Sequence, residues 1–442
     1  MHDSRNALAL AQKTLALVTG ADQASVEVND SDAAYSRFAR NYVVENLASV
    51  STTVSVTYVK NKRIGSSTTG DLSGAGLRAV VARAADVASH VPPNPEFVSL
   101  AEPGEAEGRA VQSVFATTAE ATPDDRVNKL ESVFQRMKRS LLSSAGFTTT
   151  QSQSIAVANS LGVHAAWDGT YAGIEIKAMA ERTSGYAAFW TRDYASLDAA
   201  ERAERAASKA TVSREPANLE PGTYTVILEP PAFVDCINNL YYGFAVDAIK
   251  ESQDSWMIDR LDKPVLSPNL TIVDDWSYPG VANASFASDG ASTKRVVLVE
   301  RGVPRAFVSS TYLAHKFKVE NTGHDGYPTN AVVMPGTKTR EQLIAETERG
   351  ILISRTWYTR TVDPRLCTIT GLTRDGVYLI ENGRFTKTLK NFRFFTSMLK
   401  ALADVELADT LYRSESSDAP QTLLVPTAKL AKFTLSAQTS FA

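Results

Sequence analysis

The sequence predicts an α+β protein, with an N-terminal α/β lobe of antiparallel sheet and helices followed by a mainly β C-terminal domain. Three observations carry this expectation. Between residues 24 and 69 apolar and polar residues alternate, with many Val, Thr and Tyr, which is the period of half-buried antiparallel strands. Helical spacings come in blocks instead of alternating strictly with strands, which argues against a doubly wound sheet. From Pro221 onward, strand-like runs joined by turn signals dominate.

Taken in order, residues 1–20 read as an amphipathic helix through their spaced Leu and Ala. Three strand-like runs (24–30, 35–49 and 51–69) form a meander in which Lys60-Asn61-Lys62-Arg63 is a solvated hairpin turn. Residues 71–91 switch to helical spacing, open on Asp71 or Ser73 as N-cap, and stop at Pro92-Pro93. The Pro-, Gly- and Glu-rich stretch 91–110 is a surface connection. Residues 122–146 form a second helix, acidic in its first turn and basic near its end, which suits the helix dipole. Strands are expected at 147–160, 162–182 and 185–196, then a helix at 197–213. After a strand ending in Leu228-Glu229-Pro230, the chain turns helical with Phe233, Ile237, Leu240, Phe244 and Ala248 on one face. Further strands follow at 296–308, 350–362 and 376–395, the last turning at Asn382-Gly383, a strong hairpin signal. The expected domains are 1–100, a central strand and helix segment 101–216 packing with it, and 217–442.

Composition limits the function classes. A net charge of -3 with scattered basic residues provides no field for nucleic acid, so nucleic-acid binding is not expected. No apolar run approaches the roughly 18–20 residues that a membrane span needs. The first residues lack the basic head and apolar core of an export signal, and two distant cysteines, Cys236 and Cys367, form no disulfide framework, so a reducing cytoplasm is the expected location.

Side chains able to carry chemistry are few. The five histidines include no pair on adjacent turns of one helix. His315 and His324 are close enough to converge with Asp325 if the intervening loop folds back, although a Gly-rich stretch of this kind is ordinarily a hydrogen-bonded surface loop. Cys236 lies on an apolar helix and reads as a small buried hydrophobe before it reads as a nucleophile. Cys367 is expected in strand-like sequence before a Gly turn. Asp274-Asp275 and Asp124-Asp125 are adjacent acids that point apart. Trp276 and Tyr278 stand in a loop able to line a peptide groove or, as an ordered surface loop, merely to pin itself down by its aromatics. No nucleophile elbow, Walker loop or dinucleotide fingerprint occurs.

Four ordered stretches nevertheless look alike to one family. Residues 36–95, the Ala158-Asn159-Ser160 turn between two strands, the Pro335-Gly336 turn opening a short helix, and the hairpin 371–385 together resemble the TldD/PmbA family. That resemblance implies a peptide hydrolase built from a zinc-bearing TldD-type chain and a metal-free TldE-type chain, acting on unfolded or short peptides, with modulator of DNA gyrase as a historical label. In the TldD type the helix after this strand carries HExxxH, and a later Cys completes the zinc site. Here that helix presents Cys236, Asn238, Asn239 and Tyr242, with no His and no Glu, and the tail 411–437 has no Cys. The resemblance therefore implies a TldE-like subunit without catalytic or metal-binding residues, with zinc expected in a TldD-type partner. The alternative is a stand-alone homodimeric peptide-binding protein.

Overall fold

The computed structural model describes residues 3–415 and 422–439, so residues 416–421 of the tail lie outside the described part. Two sheets organise the chain. The larger has twelve strands, and its order starts at the Val303–Pro304 edge and ends at the Arg63–Thr69 edge. Its long central strands pair antiparallel in the order Tyr42–Lys60, Gln23–Ala39, Ser143–Asn159 and His164–Met179, so the outer pairings join sequence neighbours and the middle one joins strands more than a hundred residues apart.

The turns follow residue chemistry. Asn61 and Lys62 both take left-handed backbone between Tyr42–Lys60 and Arg63–Thr69, as do Asn382 and Gly383 between Thr368–Glu381 and Arg384–Thr388. Two consecutive residues of positive φ match the right-handed twist of the strands they join. The helices begin at side-chain caps: Asp3 for Ser4–Leu15, Ser73 for Gly74–His90, and a Thr122–Asp125 capping box for Pro123–Arg139. No helix among the described residues is long and apolar enough to cross a membrane.

The large sheet does not stop near residue 216. Beyond Ser184–Thr191 it continues through Tyr412–Glu415, Thr422–Val425, Ala331–Val333, Ile272–Asp274 and Val296–Glu300. The second sheet has seven strands. Within it Arg349–Asp363, Gly222–Leu228, Ala428–Gln438, Phe392–Ser397 and Thr368–Glu381 pair in sequence, and the last pairs back to the first, closing a ring. Phe233, Ile237 and Leu240 of the Pro230–Tyr241 helix are buried with Phe392, Phe394 and Phe433 of this ring in the largest apolar core. The helix is therefore held between the ring and the large sheet.

Candidate functional site

The Pro230–Tyr241 helix is buried on more than its apolar face. Asp235 and Cys236 are buried along with Phe233 and Ile237, and the surrounding polar groups come from distant strands. Thr356 donates its hydroxyl to Asp235 Oδ2 at 3.0 Å, and Thr359 donates to Thr356 Oγ1 at 3.3 Å. Asn239 turns back on its own helix, donating Nδ2 to the Asp235 carbonyl at 2.8 Å and accepting from Thr361 at 2.8 Å. Tyr242 begins a 3-10 turn and is half exposed, its hydroxyl 3.5 Å from Asp254. Asn238 is partly buried.

Beside Asp235 lies a charged cluster contributed by both sheets. Arg355 has Asp375 at 3.6 Å and Glu175 at 4.0 Å, and its guanidinium stacks over Tyr186 and Trp357. Lys177 reaches the other Asp375 oxygen at 2.5 Å. Burial pushes the Glu175 carboxyl above its ordinary range, against the pull of Arg355 and a hydrogen bond with Tyr186. Burial, with Glu175 next to it, likewise raises the Tyr186 phenol.

Irregular backbone shapes this cluster. The pairing of Arg349–Asp363 with Thr368–Glu381 shifts register between Ile353 and Arg355 and again between Trp357 and Arg360, while Asp375 and Tyr358 have positive φ. Such bulges re-aim side chains out of strict alternation. Here they leave Trp357 and Tyr358 exposed, 37% and 62%, beside the cluster, with Val362 and Leu366 further along the same hairpin.

The other sequence candidates do not converge on this place. His324 is buried with Nε2 3.0 Å from Asp274 Oδ1 and Nδ1 3.0 Å from Thr322 Oγ1. Asp325 instead accepts from the Ser288 amide and hydroxyl, and His315 is exposed in the last turn of Thr311–Phe317. Trp276 is buried and donates Nε1 to the Glu107 carbonyl, which pins the loop to the interlobe connection; Tyr278 packs against Val281, Val332 and Leu424. Asp274 and Asp275 do point apart, the first to His324 and Asn330, the second to Ser277 and Arg295. Cys367 is not in a strand. It closes the turn before Thr368–Glu381 at φ 44, because the two-strand hairpin needs a left-handed residue there.

Sequence reasoning missed Glu175, Tyr186, Arg355 and Asp375. Each is a lone polar residue on a different strand, or at a bulge, and alternation assigns such positions to solvent. The charge-dense Arg374-Asp375-Gly376 string inside a strand run was the one available sign, since Asp and Gly there mark a bulge.

Comparison with known proteins agrees with this architecture. Residues 221–436 match the PmbA/TldA metallopeptidase C-terminal domain and residues 116–214 match its central domain. The chain belongs to the PmbA/TldD family. Relatives include the metalloprotease PmbA of Escherichia coli O157:H7, 23% identical over 68% of each chain. A metalloprotease of Methanocaldococcus jannaschii is 27% identical over 42% of this chain and 43% of its own. In fold, the crystal structure of TldE from Thermococcus kodakarensis superposes with a TM-score of 0.85 at 19% identity, covering 97% of this chain and 99% of that one.

The family is metallopeptidase-related, so the fit of a zinc ion was tested against the donors present. Burial raises the Cys236 thiol well above its ordinary value, with Asp235 adding to the shift, and pushes Cys367 up to about 12. A zinc ligand must be a thiolate, which these surroundings disfavour. Asp235 is engaged by Thr356, and no group of three His, Cys, Asp or Glu among the described residues is placed to hold a metal ion. The residues around this helix do not fit zinc.

Proposed function

We propose that this chain is a metal-free, TldE-like subunit of a TldD/TldE-type peptide hydrolase, shaping the substrate cleft while a zinc-bearing homologue supplies the hydrolytic centre. The observation that carries the reading is the Pro230–Tyr241 helix, which offers Asp235 held by Thr356 and the buried Cys236 thiol, with the buried Cys367 thiol of a distant turn set against its Asn239 carbonyl. Amide hydrolysis needs an activated water or nucleophile and a polarised carbonyl, and these groups supply neither. The Arg355–Glu175 cluster and the exposed Trp357 and Tyr358 beside it support peptide binding, and a cytoplasmic site of action accompanies that role.

A surface for the partner is also at hand. Tyr42–Lys60 pairs with Arg63–Thr69 only from Val54 onward, so its first dozen residues form a sheet edge. Tyr42, Val44, Leu47 and Val50 are exposed along it, and from 42 to 53 there is no Lys, Arg or Pro to block strand addition. A homologous chain carrying the same edge, or a second copy, can pair there.

The test is co-expression with an HExxxH-bearing homologue, followed by size exclusion and metal analysis. The expected result is a stable heteromer in which zinc and chelator-sensitive peptidase activity require the partner. Stoichiometric zinc with chelator-sensitive activity in the isolated chain would overturn the reading.

A further inference from the structure

A second pocket lies behind the N-terminus of the Pro230–Tyr241 helix, at the seam of the two sheets. Its cavity volume is about 30 Å³, the scale of a small anionic group, and its walls include Arg202, Arg205, Lys209, Glu229 and Arg340. Lys209 donates to Glu229 and to the Tyr186 carbonyl, and Arg340 donates Nε and Nη2 to the other Glu229 oxygen at 3.2 and 2.8 Å. Arg202 and Arg205 share Glu201. Arg340 also meets Glu341 at 3.1 Å, so four basic groups divide three carboxylates between them.

That surplus of positive charge sits in partly buried surroundings, where water compensates it poorly. The Arg202 guanidinium is fixed between the Phe189 and Tyr412 rings, 5.0 and 5.9 Å from their centroids, so it does not swing out to solvent. Burial also depresses the Arg202 guanidinium and brings the Lys209 ammonium down to about 8.

A second observation is independent of charge. Ser414 and Thr427, 2% and 0% exposed, line the same pocket, and neither hydroxyl has a hydrogen-bond partner. A buried hydroxyl left unpaired is costly, and native proteins retain few of them without a ligand or water to satisfy them. Both are donors, as are the guanidinium groups opposite.

We infer that this pocket is an oxyanion site that takes a carboxylate or phosphate group through Arg202 and Arg205 on one side and the Ser414 and Thr427 hydroxyls on the other. Glu229 does not oppose the anion, since Lys209 and Arg340 already neutralise it. The site adjoins the Arg355 cluster through Tyr186, which borders both, and does not depend on whether the chain pairs with a metal-bearing relative.

Calorimetric titration of the full chain at low ionic strength tests it, with inorganic phosphate, trialanine as free acid and trialanine amide as probes. Saturable binding of phosphate or of the free acid, with the amide silent, is expected. Phosphate alone identifies a free phosphate source, and the free acid alone identifies a peptide carboxylate. Arg205→Gln, at a partly exposed side chain, and the double change Ser414→Ala with Thr427→Val should each weaken binding about tenfold or more while the melting temperature holds. The inference fails if neither anion binds up to about 10 mM, if the amide binds as well as the acid, or if both variants bind like the wild type.

Discussion

Glu229 shows how one side chain can decide local stability. Burial works against its ionisation, yet Lys209 and Arg340 hold its carboxyl down at about 2, well below the ordinary value of 4.5. A carboxyl with a lowered folded pKa contributes stability that is complete above about pH 4.5 and is lost as the pH falls through about 2, here on the order of 3 kcal/mol. Glu229→Gln should therefore lower stability near neutral pH by about that amount, because Lys209 is left buried without its anion, and should flatten the acid limb of the stability curve. Chemical denaturation at several pH values measures both; an unchanged acid limb would remove Glu229 from this role. The cysteines give a second test at this scale. Both are buried and their thiols raised by burial, so the native chain should not react with an aromatic disulfide reagent at neutral pH, whereas the denatured chain should titrate two thiols.

At the scale of elements, close approach matters more than propensity. The Arg63–Thr69 strand lies against the Gly74–His90 helix at Gly65, where an added Cβ would overlap the Ala84 carbonyl and the Ala88 backbone. Gly65→Ala should destabilise by about 1–3 kcal/mol through displacement of the helix, measured as a lower denaturation midpoint with an unchanged slope. The helix is legible in the sequence by its cap and spacing, and Gly65 is not, because a glycine in a strand run gives no sign of what packs over it. The Pro230–Tyr241 helix behaves similarly: its apolar face was readable, but the burial of Asp235 and Cys236 was not, since the strands covering them lie more than a hundred residues away.

For the whole molecule, the open edge of Tyr42–Lys60 is the feature with the largest consequence. Val50 is 67% exposed on it, so Val50→Lys should leave folding unaffected, within about 0.5 kcal/mol, while placing a charge where a paired strand would sit. Association with a homologous chain, followed by analytical ultracentrifugation, should weaken at least about tenfold; undiminished association would exclude this edge as the interface. The same scale explains the extent of the large sheet. Its strands from 272 onward join those before 191 through the single bridge of Arg413 to Trp190, and no local pattern announces that union.

The sequence by itself determined the long N-terminal strands, the capped helices, the hairpin turns and the family, because caps, Asn-Gly turns and period-two alternation act over a few residues; the short strands Ile272–Asp274 and Ala331–Val333 carry no such pattern. The absence of His and Glu from the Pro230–Tyr241 helix was equally plain there. Tertiary structure alone decided the ring closure of the second sheet, the gathering of Glu175, Tyr186, Asp235, Arg355 and Asp375, and the clamping of Glu229. These depend on which distant strands meet and where bulges fall, and long-range burial carries no periodicity that a single chain can display.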